Sequence, residues 1–267
     1  MKYVQLSFNL TGRCNLSCAY CAVNGGESKT PDTKPKAIIK GYRKIRKMHP
    51  SACIDLNCMG EGEPLLNWEG IETIDNIKRD DKNTRCFITT NGTQQKRVLE
   101  LARRNWIITV SYDGVHNESL RGQSEIVQNT INTLAKTNAD FLVRITFAPE
   151  SLSSLEDSLD NVKQLGVEYV VLGPVFPFGK YRAKEVMHFD INKLYESITY
   201  AEKIGLKAIL SIQEQCTLAT KGYYAMPDGN ISICYVKFIK PTIQNRKKAE
   251  IRGCILYDYN NLIKEEY

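Results

Sequence analysis

The chain has 267 residues, 42% of them apolar and 25% charged, with a formal net charge of +6. That composition excludes a disordered or low-complexity chain and accommodates one barrel-sized domain plus a small appendage. Nine cysteines in a chain so well supplied with core residues exclude a disulfide-stapled miniature scaffold; no apolar run approaches a membrane span and no signal or transit sequence precedes the first strand-like segment, so a reducing, cytoplasmic setting is expected.

The first predicted element is an apolar strand over residues 3–10, and Cys14, Cys18 and Cys21 follow it with gaps of three and two residues. Three thiolates on one loop supply three corners of a metal site, and residues 22–48 hold no histidine or cysteine to complete a zinc tetrahedron. A cubic iron-sulfur cluster explains the shortage by leaving one iron open to a ligand. A zinc knuckle or a redox loop remains the alternative at this point. Residues 33–53 carry Lys34, Lys36, Lys40, Arg43, Lys44, Arg46 and Lys47 without one acid, and residues 240–252 form a second basic stretch. Ile38, Tyr42 and Ile45 sit at the spacing of a buried helix side, so the lysines form either a solvated face or a surface for an acidic partner.

Further strands are expected over residues 53–59, 85–89, 107–112, 141–147 and 167–172, each followed by helical periodicity. Leu152, Leu155, Leu159, Val162 and Leu165 form one apolar stripe that Gly166 should end. Asp190 should cap the next helix, whose Ile191, Leu194, Ile198, Ala201 and Ile204 face inward before Gly205. Six strand-helix units predict an α/β fold with a parallel sheet and helices outside it, and such folds place their chemistry at the C-terminal ends of the strands. The cysteine loop occupies such a position. So do Gly62-Glu63-Pro64 after the second strand, Thr90-Asn91-Gly92-Thr93 after the third, and Ser111-Tyr112-Asp113-Gly114 with His116 and Arg121 after the fourth. Arg144, between Val143 and Ile145, either pairs internally or points into the lumen. Beyond a last apolar run at residues 207–212 come Cys216, Cys234 and Cys254, with a hairpin expected around Pro227-Asp228-Gly229-Asn230.

Taken together, the cysteine spacing with Tyr20 before the last cysteine, the Gly62-Glu63-Pro64 tripeptide and the strand-four pattern resemble the radical S-adenosylmethionine (SAM) enzymes. The pattern from Ser111 to Arg121 is similar to that of the sulfatase-maturase and peptide-modifying branch. The resemblance implies a partial (β/α)6 barrel over residues 1–206 and a twitch/SPASM-like auxiliary-cluster region over residues 207–267. It implies a SAM-binding 4Fe-4S cluster on Cys14, Cys18 and Cys21, and an auxiliary 4Fe-4S cluster on Cys216, Cys234 and Cys254, for which structural zinc is the alternative. SAM would be held by Tyr20, Gly62, Glu63, Pro64, Ser111, Arg121 and Arg144. Its reductive cleavage would yield a 5′-deoxyadenosyl radical that abstracts a substrate hydrogen.

Asp113 and Tyr112 are the candidate catalytic groups in the lumen, with Glu61 beside them. The buried-strand cysteines Cys53, Cys58 and Cys86 read as small apolar residues. The expected reaction is oxidation or cross-linking of a peptide or protein, with a small-molecule alcohol dehydrogenase or cyclase as the alternative enzyme and an iron-sulfur electron carrier as the non-enzyme alternative. A flavodoxin- or ferredoxin-type donor would supply electrons. The strand so close to residue 1 leaves no room for a peptide-recognition domain, so a separate recognition protein is expected. Neither a membrane nor a nucleic-acid partner is.

Overall fold

A computed structural model describes residues 3–23, 25–175, 179–181, 190–211 and 222–232. In chain order its elements are β1 (Tyr3–Phe8), α1 (Pro35–Met48), β2 (Cys53–Cys58), α2 (Trp68–Asp80), β3 (Thr84–Thr90), α3 (Gln95–Arg103), β4 (Ile107–Ser111) and the single turn α4 (Asn117–Leu120). Then come α5 (Ser124–Ala135), β5 (Phe141–Phe147), α6 (Leu155–Gln164), β6 (Tyr169–Pro174), α7 (Ile191–Lys203), β7 (Lys207–Leu210), β8 (Gly222–Ala225) and β9 (Ile231–Ser232). The six expected strand-helix alternations are all present.

The chain divides into two compact units. In the first, the strand order is β3-β2-β1-β8-β9. β1 pairs in parallel with β2 and β8, β2 in parallel with β3, and β8 pairs antiparallel with β9. The hairpin turn was legible from Pro227 to Asn230. Met226 N donates to Asn230 O at 2.8 Å, and Gly229 takes the positive φ of 77° that such a turn needs. The parallel seat of β8 beside β1 was not expected. It is fixed by α1, whose Gly41 leaves only 3.1 Å between an added Cβ and Ala225 Cβ, and by His49 Nε2, 2.8 Å from the Tyr223 hydroxyl.

In the second unit the order is β4-β5-β6-β7, parallel throughout. Val143, Ile145 and Phe147 alternate onto the buried helix side of β5, which leaves Arg144 and Thr146 on the other face. α6 buries Leu155, Leu159 and Val162 and stops where Gly166 adopts φ 83°. Asp190 caps α7 by accepting from Lys193 N at 3.0 Å. Each unit is thus an α/β arrangement of mostly parallel strands. Cys216, Cys234 and Cys254 lie outside the described residues.

Cys53, Cys58 and Cys86 are buried on β2 and β3, as expected for small apolar residues. Burial pushes the thiols of all three upward, most strongly at Cys58 and Cys86.

Candidate active site

Segments after β1, β2 and β4 carry Cys14, Cys18, Cys21, Gly62, Glu63, Pro64, Asp113 and Arg121, while Ser111 and Arg144 lie within β4 and β5. The cysteine loop is divided along the chain, with Cys14 in the first unit and Cys18 and Cys21 in the second. All three are half-buried cysteines outside any disulfide.

Within the first unit the backbone leading to Cys14 is gripped tightly. Arg13 makes a two-pronged ion pair with Asp32 at 2.6 and 3.1 Å and also donates to Leu66 O at 2.8 Å. Burial opposes ionisation of Asp32, but hydrogen bonds from Arg13 and Thr11 outweigh it and hold the carboxyl below its usual range. Gly62 closes the other side. A Cβ there would lie 2.1 Å from Arg13 O, so only glycine allows the approach that brings Glu63 N to 2.8 Å from that oxygen. The buried Glu63 carboxylate accepts from Leu65 N at 3.1 Å, capping the short 3-10 turn Pro64–Leu66. Gly62-Glu63-Pro64 therefore clamps the cysteine loop through its backbone, where the sequence suggested contacts to a ligand. Glu61 is likewise engaged, by Ser28 and by Thr30 at 2.6 Å.

Asn67 escaped the sequence reading. Its amide donates to Leu10 O and Thr33 O at 2.8 and 3.0 Å, tying both ends of the long loop together, while its oxygen caps α2 at Gly70 N. An asparagine one residue before a helix is the cue that was available.

In the second unit Cys18 and Cys21 are joined by a turn, Cys21 N donating to Cys18 O at 3.2 Å. Tyr20, between them, donates from its buried hydroxyl to Asp113 Oδ2, and burial pushes its phenol well above the ordinary range. Arg121 Nε reaches the same carboxylate at 2.7 Å, Thr146 N reaches Oδ1 at 2.8 Å, and Arg121 Nη1 lies 3.9 Å from Cys18 Sγ. Burial raises the Cys18 thiol while the Arg121 cation partly offsets it. From the far side Lys180 N donates to Cys21 O at 2.9 Å and Lys180 Nζ to Ser17 Oγ at 2.5 Å. Gly179 permits that contact, since its Cβ would fall 2.3 Å from Cys21 O. No local pattern marked Thr146, Gly179 or Lys180.

Ser111 and Arg144 are register partners on β4 and β5, so they share one face of the sheet. Arg144 extends across Gly173, whose Cβ would stand 2.3 Å from its Nη2, toward Ser211 Oγ at 3.4 Å. Tyr112 corrects the sequence reading. It follows Ser111 by one residue and so points to the opposite, helix side, where its hydroxyl donates to Asn161 at 2.9 Å and accepts from Gln128 at 2.5 Å. His116 is structural, 2.6 Å from Ser154 Oγ.

Three soft sulfur donors, reduced and half-buried on one loop, suit an iron-sulfur cluster chemically. Among the described residues no three His, Cys, Asp or Glu side chains converge as a ready-made metal site.

Comparison with known proteins agrees with this chemistry. AlbA, the antilisterial bacteriocin subtilosin biosynthesis protein of Bacillus subtilis (strain 168), is 25% identical over 193 residues, 68% of this chain and 41% of AlbA. A probable GTP 3′,8-cyclase of Methanococcus aeolicus is 26% identical over 214 residues, 73% of this chain and 66% of the cyclase. The chain thus spans less than two thirds of either relative. In three dimensions anSMEcpe with bound AdoMet superposes with a TM-score of 0.72 at 15% identity, covering 97% of this chain and 83% of that one. The family described as the Radical SAM superfamily matches residues 8–189. By that match, which covers more than half of its length, the chain belongs to the radical SAM superfamily, whose enzymes use a 4Fe-4S cluster and SAM.

Proposed function

We propose that the chain holds a 4Fe-4S cluster on Cys14, Cys18 and Cys21 and acts on a peptide or protein, oxidising it or forming a cross-link in it. When bound, the cluster supplies the electron that cleaves SAM to a 5′-deoxyadenosyl radical, which abstracts the substrate hydrogen. The observation that carries the reading is the set of three reduced, half-buried cysteines at this spacing on one loop.

The chain's own residues then have distinct tasks. Gly62, Glu63 and Pro64 secure the backbone before Cys14. Ser111 and Arg144, side by side on one sheet face, are suited to receive the SAM carboxylate, a hydroxyl and a guanidinium fork being its natural partners. That task shifts to Arg144 from Arg121, whose Nε is already committed to Asp113.

Peptide chemistry is supported by AlbA's role in bacteriocin biosynthesis and by a structure of anSMEcpe that holds AdoMet together with the Cp18Cys peptide. It is supported also by α1, where exposed Lys36, Lys40, Arg43, Lys44 and Lys47 form one stripe on a helix without an acid. Such a stripe suits an acidic peptide segment, a separate recognition protein, or an acidic flavodoxin- or ferredoxin-type donor. Residues 207–267 remain the proposed auxiliary-cluster region, with Cys216, Cys234 and Cys254 as ligands, and the cytoplasm remains the proposed setting. No described helix is long and apolar enough to cross a membrane. A second reading, a small-molecule cyclase, is favoured by the Methanococcus aeolicus relative.

The test is anaerobic reconstitution with iron counting and a dithionite assay for 5′-deoxyadenosine, on wild type and the Cys14/Cys18/Cys21 triple alanine variant. About eight irons per chain falling to about four, with loss of 5′-deoxyadenosine, is the expected result for two 4Fe-4S clusters. Cys18→Ala alone should abolish SAM cleavage, whereas Cys234→Ala should keep some cleavage and lose substrate turnover. Unchanged 5′-deoxyadenosine in the triple variant overturns the assignment. Turnover of GTP but of no peptide selects the second reading.

A further inference from the structure

Asp113 was expected in the lumen as a catalytic group, yet it is among the least accessible charged side chains described, 2% exposed at the end of β4. Its carboxylate accepts three donors drawn from three parts of the chain. Tyr20 and Arg121 Nε converge on Oδ2, and the backbone N–H of Thr146 in β5 takes Oδ1. A carboxylate has about four acceptor positions, so little of it is left to act on a substrate proton. Its own backbone is held as well, Asp113 N donating to Asn117 Oδ1 at 3.2 Å.

Both side chains that Asp113 holds lead to the cysteine turn. Tyr20 lies within that turn, and its ring lies 5.2 Å from the Arg121 guanidinium. Arg121 places Nη1 3.9 Å from Cys18 Sγ, and its neighbour Leu120 accepts from Ala19 N at 2.8 Å. Tyr20 adds its hydroxyl to the contacts that Leu120 and Lys180 already make with the turn. Arg121 alone would leave a buried cation beside the sulfur without a counter-charge.

We propose that Asp113 is the positioning residue of the cysteine turn: through Tyr20 and Arg121 it anchors Cys18 and Cys21 to the ends of β4 and β5 and neutralises the Arg121 cation that faces Cys18 Sγ. The first half of the proposal concerns the chain without cofactors; the second rests on the cluster assignment above. Asparagine cannot replace Asp113, because it carries no charge and turns an amide donor toward groups that are themselves donors.

Amide hydrogen exchange on the cofactor-free protein tests the anchor. In Asp113→Asn, peptides covering residues 16–22 should exchange at least about tenfold faster, because a buried charged hydrogen-bond set is lost, while strands β1 and β2 keep their protection. Tyr20→Phe, which removes only the hydroxyl, should loosen the same peptides by a smaller factor and guards against a variant that fails to fold.

EPR-monitored titration of the reconstituted cluster tests the charge. Asp113→Asn should move the midpoint potential to more positive values, since an uncompensated Arg121 favours the reduced, more negative cluster. Asp113→Glu should restore it, and a residue that only packs the turn would leave it unmoved. Unchanged protection over residues 16–22 in both variants overturns the anchor, and an unchanged potential overturns the charge role. A wild-type chain that takes up no iron while Asp113→Asn still loosens residues 16–22 supports the anchor and refutes the cluster reading alone.

Discussion

Gly62→Ala isolates the grip on the cysteine loop. The added methyl would lie 2.1 Å from Arg13 O and 2.8 Å from both Arg13 C and Thr11 O. Real Cβ contacts stay beyond 3.0 Å, so the carbonyl, a backbone atom with no rotamer to change, must retreat by about 0.9 Å. Gly62 does not sit at a positive φ, so alanine meets no backbone penalty there and the whole effect is steric. The shift breaks the Glu63 N to Arg13 O hydrogen bond, which contributes about 1 kcal/mol. Overpacking adds about 1–3 kcal/mol.

A loss of about 2–4 kcal/mol is expected, read as a fall in Tm of at least about 4 °C by calorimetry or as a lower urea midpoint. The displaced backbone leads directly into Cys14, so iron uptake on reconstitution should fall as well. Gly122→Ala is the control: nothing lies within 4 Å of its added Cβ, and its positive φ of 79° alone should cost about 1 kcal/mol. A Gly62→Ala protein within about 0.5 kcal/mol of wild type, with full iron content, would refute the steric argument.

Tyr112→Phe should form 5′-deoxyadenosine at a rate within about twofold of wild type, and lose about 1 kcal/mol of stability through its bonds to Asn161 and Gln128; a larger drop in rate at unchanged stability would return Tyr112 to the chemistry. Arg144→Leu should raise the KM for SAM about tenfold or more, and Arg144→Lys less, because lysine keeps the charge without the fork; equal KM values for wild type and Arg144→Leu would remove Arg144 from SAM binding. Asp32 has a depressed folded-state pKa, so its ionised form stabilises the fold above the unfolded value of about 4, and that contribution is lost as the pH falls through the lower folded value. Asp32→Asn should therefore destabilise the protein at pH 7 by less than about 1 kcal/mol, since Arg13 is largely exposed, and the gap from wild type should close in acid denaturation. A gap that widens toward acid would contradict this sign.

Much of the scaffold was written locally. Apolar runs of strand length marked β1 to β7, and Gly166 and Gly205 ended α6 and α7 where a left-handed residue was needed. Asp190 capped α7 as its position required. The spacing of Cys14, Cys18 and Cys21 carried the family, because cluster ligation depends on donors close together in one loop. The basic face of α1 was equally plain from its period.

What the tertiary structure decided is where each polar group finds its partner. Ser111 and Tyr112 are adjacent in the chain, yet strand alternation sends one to the face of Arg144 and the other to the helices. Glu63 reads as a ligand contact but turns back to cap its own 3-10 turn. Asp113 reads as a free lumen carboxylate, while its partners Tyr20 and Thr146 lie 93 and 33 residues away. β8 joins β1 from more than 200 residues along the chain. The sequence by itself determined elements, caps and the cysteine loop, because these follow from periodicity and spacing over a few residues. Only packing could decide which buried donors reach which acceptors, because that depends on side chains brought together from distant segments as water is excluded.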